Sequence, residues 1–190
     1  MELSCTPFEI ETSLKSMVIL YDTREQPTKQ LKARLATMQC KTERRRLEYG
    51  DYSCFTTLPT GEVLDLSRKV VIERKMNIDE LCLCFGKDRH RFKAEFDRAR
   101  TDGCRVYLLV ENATWEHILL GKYRSQYNPQ ALTASILAWI PRYNMIPIFC
   151  KEESSGKIIK EILYREAKEC LENANEDRKH EQANAISSSG

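Results

Sequence analysis

Charged residues directly follow an apolar run at residues 70–79, VVIERKMNID. Side chains alternate faces along a strand, so Glu73 and Lys75 share one face and Arg74 points to the other. A carboxylate and an ammonium at the end of a strand suit phosphodiester hydrolysis, in which the carboxylate holds a divalent metal and the ammonium holds or polarises the attacking water. For this tripeptide alone, a surface ion pair between Glu73 and Lys75 is the alternative explanation.

A second carboxylate, Asp51, precedes Glu73 by 22 residues and follows Gly50 in the sequence YGDY. A second strand at this point would bring Asp51 beside Glu73. Two carboxylates make a hard-oxygen site of the kind that Mg²⁺ or Mn²⁺ prefers. We therefore expect Mg²⁺ as the cofactor, with Mn²⁺ able to replace it.

The elements that must position these residues alternate between strand and helix patterns. Apolar or alternating runs predict strands, and apolar residues at helical spacing predict helices. The strands are expected at 17–22, within 44–75, at 105–111 and at 145–150, and residues 53–69 are expected to form a hairpin. The helices are expected at 29–38, 78–85, 90–100, 128–143 and 155–174. This alternation predicts an α/β fold with a central mixed sheet flanked by helices.

Length and composition predict one domain at 17–174, with an N-terminal extension at 1–16 and a disordered tail at 175–190. The chain has 190 residues, 42% hydrophobic and 31% charged, with a net charge of +2. It has no apolar run near the roughly 20 residues that cross a bilayer, and its N-terminus does not have the pattern of a secretory signal. We expect a soluble cytoplasmic protein.

The eight cysteines are scattered along the chain and are expected to be reduced. Cys82 and Cys84 form a C-x-C motif, but no second pair follows at a zinc-site spacing. A cysteine-based metal or redox protein is the alternative to which this motif would point, and we expect no zinc.

Taken together, the motifs resemble the nuclease domain of the XPF-type structure-selective endonucleases, whose signature is G-D-x(n)-E-R-K-x(3)-D. The sequence matches this signature at Gly50, Asp51, Glu73, Arg74, Lys75 and Asp79. YDTRE at 21–25 is similar to the family's first strand and its D-x-R-E element, and RFKAEFDRA at 91–99 to the following helix. The resemblance implies a restriction-endonuclease-like fold and a metal-dependent DNA endonuclease acting on branched or single-strand-containing DNA.

The resemblance also implies roles for individual residues. Asp51 and Glu73 would be metal ligands, and Asp22 and Glu25 would ligate through water or complete the site. The catalytic set that it implies is Asp22, Glu25, Asp51, Glu73, Arg74 and Lys75.

Several of these residues have alternatives. Asp22 could be a turn former at the end of a strand, and Glu25 a solvated loop acid. Asp79 could cap a helix, as could Asn77. Glu95 could face the site or pair with Arg91 or Arg98.

Cation-rich segments supply candidate DNA contacts, because cations bind the phosphate backbone. From these segments the candidates are Arg89, Arg91, Lys122 and Arg124. The resemblance implies that Arg24 and Arg74 orient carboxylates or grip phosphate, so these two arginines are also candidate DNA contacts. The family also implies a homodimer. Because no helix-hairpin-helix signal follows residue 150, we expect a stand-alone bacterial or phage nuclease domain that an additional protein could target. The alternative is a non-catalytic DNA-binding or partner subunit with a nuclease-like fold.

Overall fold

The described chain alternates strands and helices, as the sequence pattern predicts. The computed structural model describes residues 6–187, with side chains described for residues 6–173. The strands are β1 (Val18–Tyr21), β2 (Lys41–Arg44), β3 (Tyr52–Thr57), β4 (Val63–Asp65), β5 (Val70–Lys75), β6 (Arg105–Glu111) and β7 (Met145–Cys150). The helices are α1 (Pro7–Lys15), α2 (Lys29–Met38), α3 (Ile78–Phe85), α4 (Arg89–Thr101), α5 (Trp115–Leu119), α6 (Pro129–Tyr143) and α7 (Glu152–Ser187).

The strands form one mixed sheet in the order β2-β1-β3-β5-β6-β7, with β4 paired to β3. Strands β5, β6 and β7 are parallel, whereas β3 runs antiparallel to both β1 and β5. The C-terminal ends of β1 and β5 therefore meet the N-terminal end of β3 at one edge. This topology confirms the predicted mixed sheet and brings Asp51, which precedes β3, next to the ERK motif at the end of β5.

Helices cover both faces of the sheet and separate its core into two clusters. Val71 and Leu108 lie in the cluster with α3, α4 and α6. Ile72 and Leu109, one residue further along each strand, lie in the cluster with α1, α2 and α7. Because the alternation continues to the end of β5, the first face carries Glu73 and Lys75.

Three elements were not predicted from the sequence. Strand β2 is a short edge strand with mainly exposed polar residues, so it lacks an apolar pattern. Helix α1 lies within the predicted extension and begins with a capping box between Thr6 and Glu9. Helix α5 has five residues, too few for a periodic signal. Helix α7 continues to Ser187, past its predicted end at residue 174, and so overlaps the predicted tail at 175–190. Side chains from 174 onward and residues 188–190 lie outside the described residues, and the disorder of the tail stays a prediction.

Two further properties of the described chain concern function. Its seven cysteines are free thiols at positions 40, 54, 82, 84, 104, 150 and 170. Among its helices, none is both long and apolar enough to cross a membrane.

Candidate active site

Gly50 and the strand pairing fix the position of Asp51. Gly50 has a φ of +69°, and a Cβ at this residue would lie 2.8 Å from the Cβ of Val71. Only glycine combines this left-handed backbone with so close an approach. The Asp51 amide donates to the Ile72 carbonyl at 2.8 Å, and the amide of Arg74 donates to Asp51 Oδ2 at 2.8 Å. The Asp51 carboxylate is thus held against β5 by its backbone and by its side chain.

Glu73 and Lys75 form a buried ion pair on the face of the sheet that carries α4. Glu73 is 5% exposed and Lys75 is 8% exposed, and the Lys75 ammonium donates to Glu73 Oε1. The same ammonium lies 5.1 Å from the centre of the Phe92 ring. The ion pair that was the alternative explanation for Glu73 and Lys75 is therefore present, but it is buried and not at the surface.

Burial and mutual repulsion disfavour the charged forms of the two carboxylates. Burial raises the pKa of Asp51 to about 8, with a further contribution from the charge of Glu73. Burial also raises the pKa of Glu73, against the opposing effect of Lys75. Burial lowers the pKa of Lys75, but Glu73 and Asp51 together raise it above its ordinary value. A bound cation would lower the raised pKa values of two such carboxylates, because its charge favours their ionised forms.

A cavity of about 260 Å³ opens beside the carboxylates. Its lining residues are Arg24, Asp51, Glu73, Lys75, Cys84, Arg91, Phe92, Ala94, Glu95 and Arg98. Glu95 faces this cavity, where it accepts a hydrogen bond from the Gly50 amide at 3.1 Å and lies 3.6 Å from Arg24 Nη1. The alternative partners predicted for Glu95 are engaged elsewhere: Arg91 pairs with Asp88, and Arg98 pairs with Glu48.

The two carboxylates, Asp51 and Glu73, would suit a magnesium-type ion better than zinc. Among the described residues, no group of three or more His, Cys, Asp or Glu side chains has an arrangement that could hold a metal ion. Mg²⁺ is commonly held by one or two carboxylates together with water and substrate phosphate. Asp51 and Glu73 supply two such carboxylates at the wall of an open cavity, which leaves room for both. Zinc would require a closed set of protein ligands in a structural site.

Asp22 is fully buried, and both of its oxygens accept hydrogen bonds from the protein. Oδ1 accepts from the amide and from Nε of Arg24, both at 2.7 Å, and Oδ2 accepts from the Leu47 amide at 2.6 Å. Burial raises the pKa of Asp22, but the hydrogen bonds from Arg24 and Leu47 lower it below its ordinary value. This geometry matches the turn-forming alternative, and the ligand role of Asp22 stays a prediction.

Glu25 and Arg74 lie on the opposite face of the sheet from the two carboxylates. Arg74 Nη1 donates to Glu111 Oε2 at 3.1 Å, and its Nη2 lies 4.0 Å from Glu25 Oε1. Glu25 also accepts from the Tyr52 hydroxyl at 3.1 Å. The sequence-predicted set is therefore divided between two faces. Asp51, Glu73 and Lys75 lie together on one face, and Arg74 and Glu25 on the other.

A buried charge network on this second face was missed by the sequence analysis. Arg34 Nε donates to Glu111 Oε1 at 2.9 Å, and Arg34 Nη1 donates to the Tyr52 hydroxyl at 3.2 Å. Glu111 is 1% exposed and Arg34 is 4% exposed. The one sequence signal was Glu111 itself, an acid that ends the apolar strand RVYLLVE.

Asp79 holds a loop, and the neighbouring Asn77 is the helix cap. Asn77 Oδ1 accepts from the Glu80 amide at 2.9 Å at the start of α3. Asp79 Oδ1 accepts from the amides of Arg124 and Ser125, both at 2.8 Å. Asp79 thus ties the loop after α5 to α3.

The remaining candidate DNA contacts are exposed. The side chain of Arg91 is 83% exposed where it lines the cavity, and that of Arg124 is 90% exposed beside Asp79. Arg89 donates to the Phe85 carbonyl at 3.1 Å, and Lys122 is exposed on the loop after α5. By contrast, Arg74 is largely buried in its ion pairs.

Solved structures share this fold. XPF from Aeropyrum pernix matches with a TM-score of 0.55 at 18% identity, covering 77% of this chain and 59% of that one. XPF from Aeropyrum pernix in complex with DNA matches with a TM-score of 0.53 at 19% identity, covering 78% of this chain and 63% of that one. This chain therefore spans less than two thirds of the length of these relatives. A comparison with curated proteins found no match.

The sequence also matches a family profile directly. The profile of the ERCC4 domain matches residues 21–162. This range runs from the last residue of β1 into the first turns of α7, and contains both halves of the G-D and E-R-K signature. The resemblance to XPF-type nuclease domains is thereby confirmed, and the chain belongs to the ERCC4 domain family.

Proposed function

We propose that this protein is a divalent-metal-dependent DNA endonuclease. The observation that carries this proposal is the cluster of Asp51, Glu73 and Lys75 at the wall of an open cavity, in which Glu73 and Lys75 are buried and Asp51 is half-buried. Two carboxylates and an ammonium withdrawn from water in this way are costly unless they are paired with one another or with a ligand. A metal ion and a phosphate would supply the charges that complete the cluster.

Asp51 and Glu73 would hold Mg²⁺, with Mn²⁺ as a substitute. The bound metal supplies an activated water and stabilises charge on the phosphate. Lys75, whose ammonium is held by Glu73, orients the attacking water and neutralises charge that develops on the phosphate. Arg24 keeps its guanidinium charged and is held by Asp22 at the cavity, where it positions the phosphate.

DNA is the proposed substrate, and branched or single-strand-containing DNA is the preferred form. The cavity carries three arginines, Arg24, Arg91 and Arg98, of which Arg91 projects furthest into solvent. Arginine fits the phosphate backbone in a bidentate manner. The DNA complex solved for the Aeropyrum XPF supports DNA as a ligand of this fold. We also propose a homodimer, with an additional protein contributing to targeting.

A nuclease assay on labelled single-stranded, duplex, flap, fork and four-way DNA tests the proposal, with Mg²⁺ and with Mn²⁺. Lys75→Met keeps the apolar stem but removes the ammonium, and we expect a loss of about 100-fold or more in the cleavage rate. We expect Asp51→Ala to reduce the cleavage rate by a comparable factor. Lys87→Ala, at an exposed lysine outside the cavity, should cleave like the unmodified protein.

Full metal-dependent cleavage by folded Lys75→Met or Asp51→Ala would contradict the assignment. The second candidate, a non-catalytic DNA-binding subunit, predicts DNA binding in the presence of metal without cleavage of any substrate. The retention of Asp51, Glu73 and Lys75 in one cluster favours the enzyme, because a non-catalytic copy does not need these buried charges.

A further inference from the structure

A second cavity, of about 460 Å³, lies on the other face of the sheet. Its lining includes Gln30, Arg34, Arg74, Asn77, Glu111 and Asn112. Its volume is in the range of about 300–1,000 Å³ that is usual for ligand sites. Arg24 lines both this cavity and the catalytic cavity. A strand bound at the catalytic carboxylates could therefore continue past Arg24 into the second cavity.

Four charged residues of the second cavity are paired with one another. Arg34 lies 2.9 Å from Glu111 and 3.7 Å from Glu25, and Arg74 lies 3.1 Å from Glu111. Three arginines and three glutamates line the cavity in all. A phosphate would face the carboxylates as well as the guanidinium groups, so this balance favours an uncharged polar ligand.

Side-chain amides provide hydrogen-bonding groups in this cavity. Asn77 Oδ1 accepts from the Glu80 amide at 2.9 Å, and Asn112 Oδ1 accepts from the Glu152 amide at 3.4 Å. These bonds orient both NH₂ groups, which have no hydrogen-bond partner among the residues with described side chains. Gln30 is exposed at the same wall. Arg74 Nε is buried and also lacks a partner in the described part of the chain.

We infer that the second cavity binds an unpaired nucleobase of the cleaved strand, next to the scissile phosphate. Asparagine and glutamine amides pair with base edges, and arginine guanidinium planes stack on base faces. A base within a duplex cannot present its edge and its face in this way without leaving the stack. The inference rests on the proposed nuclease function, and gives a physical reason for a preference for single-strand-containing DNA.

Fluorescence of 2-aminopurine tests the inference directly. The base analogue is placed, one position at a time, within four nucleotides of the scissile phosphate of a fork, with Ca²⁺ replacing Mg²⁺ so that binding is observed. We expect one position to brighten severalfold on binding, because a base withdrawn from its neighbours is no longer quenched. The variant Gln30→Ala with Asn112→Gly removes two amides, and glycine keeps the left-handed backbone of residue 112.

This double variant should lose the fluorescence increase and bind the fork about tenfold more weakly, while its affinity for duplex DNA stays unchanged. Gln130→Ala, at an exposed glutamine outside the cavity, is the matched control and should behave like the unmodified protein.

The cavity assignment is overturned if no position brightens, or if the double variant retains the full increase. The two proposals fail separately. Cleavage of the fork without a fluorescence response would leave the nuclease function intact and refute the base site. A response without cleavage under Mg²⁺ would support the base site and refute the nuclease.

Discussion

The carboxylates Asp51 and Glu73 lie where the ionised form of a carboxylate is unfavourable for stability. Glu73 is buried and Asp51 is half-buried, and the charge of Glu73 raises the electrostatic cost of ionising Asp51. A site optimised for stability would replace such a pair with apolar residues. The proposed metal ion would account for this cluster, and the destabilisation that the cluster causes should be measurable in the metal-free protein.

Asp51→Asn is expected to stabilise the metal-free protein at neutral pH. The pKa of Asp51 rises from an ordinary 3.8 to about 8 on folding, so the folded state binds the extra proton between these values. Stability should therefore fall as pH rises through this window, and asparagine removes the contribution of Asp51 to that fall. Urea unfolding in EDTA at pH 5 and pH 7.5 measures the free energy of unfolding of Asp51→Asn and of the unmodified protein.

We expect Asp51→Asn to increase the free energy of unfolding more at pH 7.5 than at pH 5. Added Mg²⁺ should reverse the order of stability, because only the carboxylate form gains free energy from the metal. An equal effect of the substitution at both pH values would show that Asp51 is ionised in the folded protein throughout.

Glu111→Gln should be strongly destabilising. Its carboxylate neutralises both Arg34 and Arg74, and removing it leaves two buried guanidinium groups without their main partner. Breaking a buried pair in this way costs about 3–5 kcal/mol. Glu166→Gln is the matched control, because Glu166 pairs with Arg105, whose side chain is 46% exposed. If Glu111→Gln lowered the free energy of unfolding no more than Glu166→Gln does, the result would contradict a stabilising role of Glu111 in the buried network.

At the scale of the elements, the crossing of α2 and α7 positions the second cavity. Arg34 lies on α2, and Ser155 on α7 accepts a hydrogen bond from Arg34 Nε at 3.2 Å. At Gly156 the two helices approach so closely that a Cβ would overlap Thr37 Oγ1 and the Arg34 carbonyl. Because residue 156 has no side chain, α7 can pack close enough to α2 for Ser155 to accept the hydrogen bond from Arg34.

Gly156→Ala should separate α2 from α7. Overpacking of a close contact costs about 1–3 kcal/mol, although alanine is the better helix former at an ordinary position. Urea unfolding should show this loss, and Lys157→Ala, at the exposed neighbour in the same helix, should show little change. A more stable Gly156→Ala protein would mean that the crossing is looser than described.

At the scale of the whole molecule, exposed leucines around α5 and α6 are the surface that we assign to the proposed homodimer. Leu119, Leu120 and Leu137 are 58%, 66% and 49% exposed. Leu120→Glu with Leu137→Glu should convert a dimer into a folded monomer in sedimentation velocity, because charges cannot be buried unpaired in an apolar interface. Val63→Glu, at a residue 53% exposed on β4, is the control and should remain dimeric. A monomer before substitution would contradict the dimer.

The sequence by itself determined the elements whose patterns are local. Helix α2 and strand β6 have the predicted bounds of 29–38 and 105–111, because helical spacing and a continuous apolar run are visible in a single segment. The G-D and E-R-K motifs likewise indicated the family, and the alternation along β5 predicted that Glu73 and Lys75 would share a face. Strand β2 could not be predicted in this way, since a polar edge strand depends on its partner for its conformation.

Only the tertiary structure decided which charges meet. The sequence grouped Glu25 and Arg74 with Asp51 and Glu73. Because β5 sends successive side chains to opposite faces, Arg74 lies on the face opposite Glu73, and Glu25 lies beside Arg74 there. Glu111 and Arg34 are 77 residues apart and have no shared motif, so their pairing follows from the packing of α2 against the sheet. Long-range packing likewise engages Asp22 with Leu47, and Asp79 with the loop after α5. Local sequence patterns therefore identified the candidate functional residues. The topology of the sheet and the packing of the helices determined which of their charged side chains are in contact.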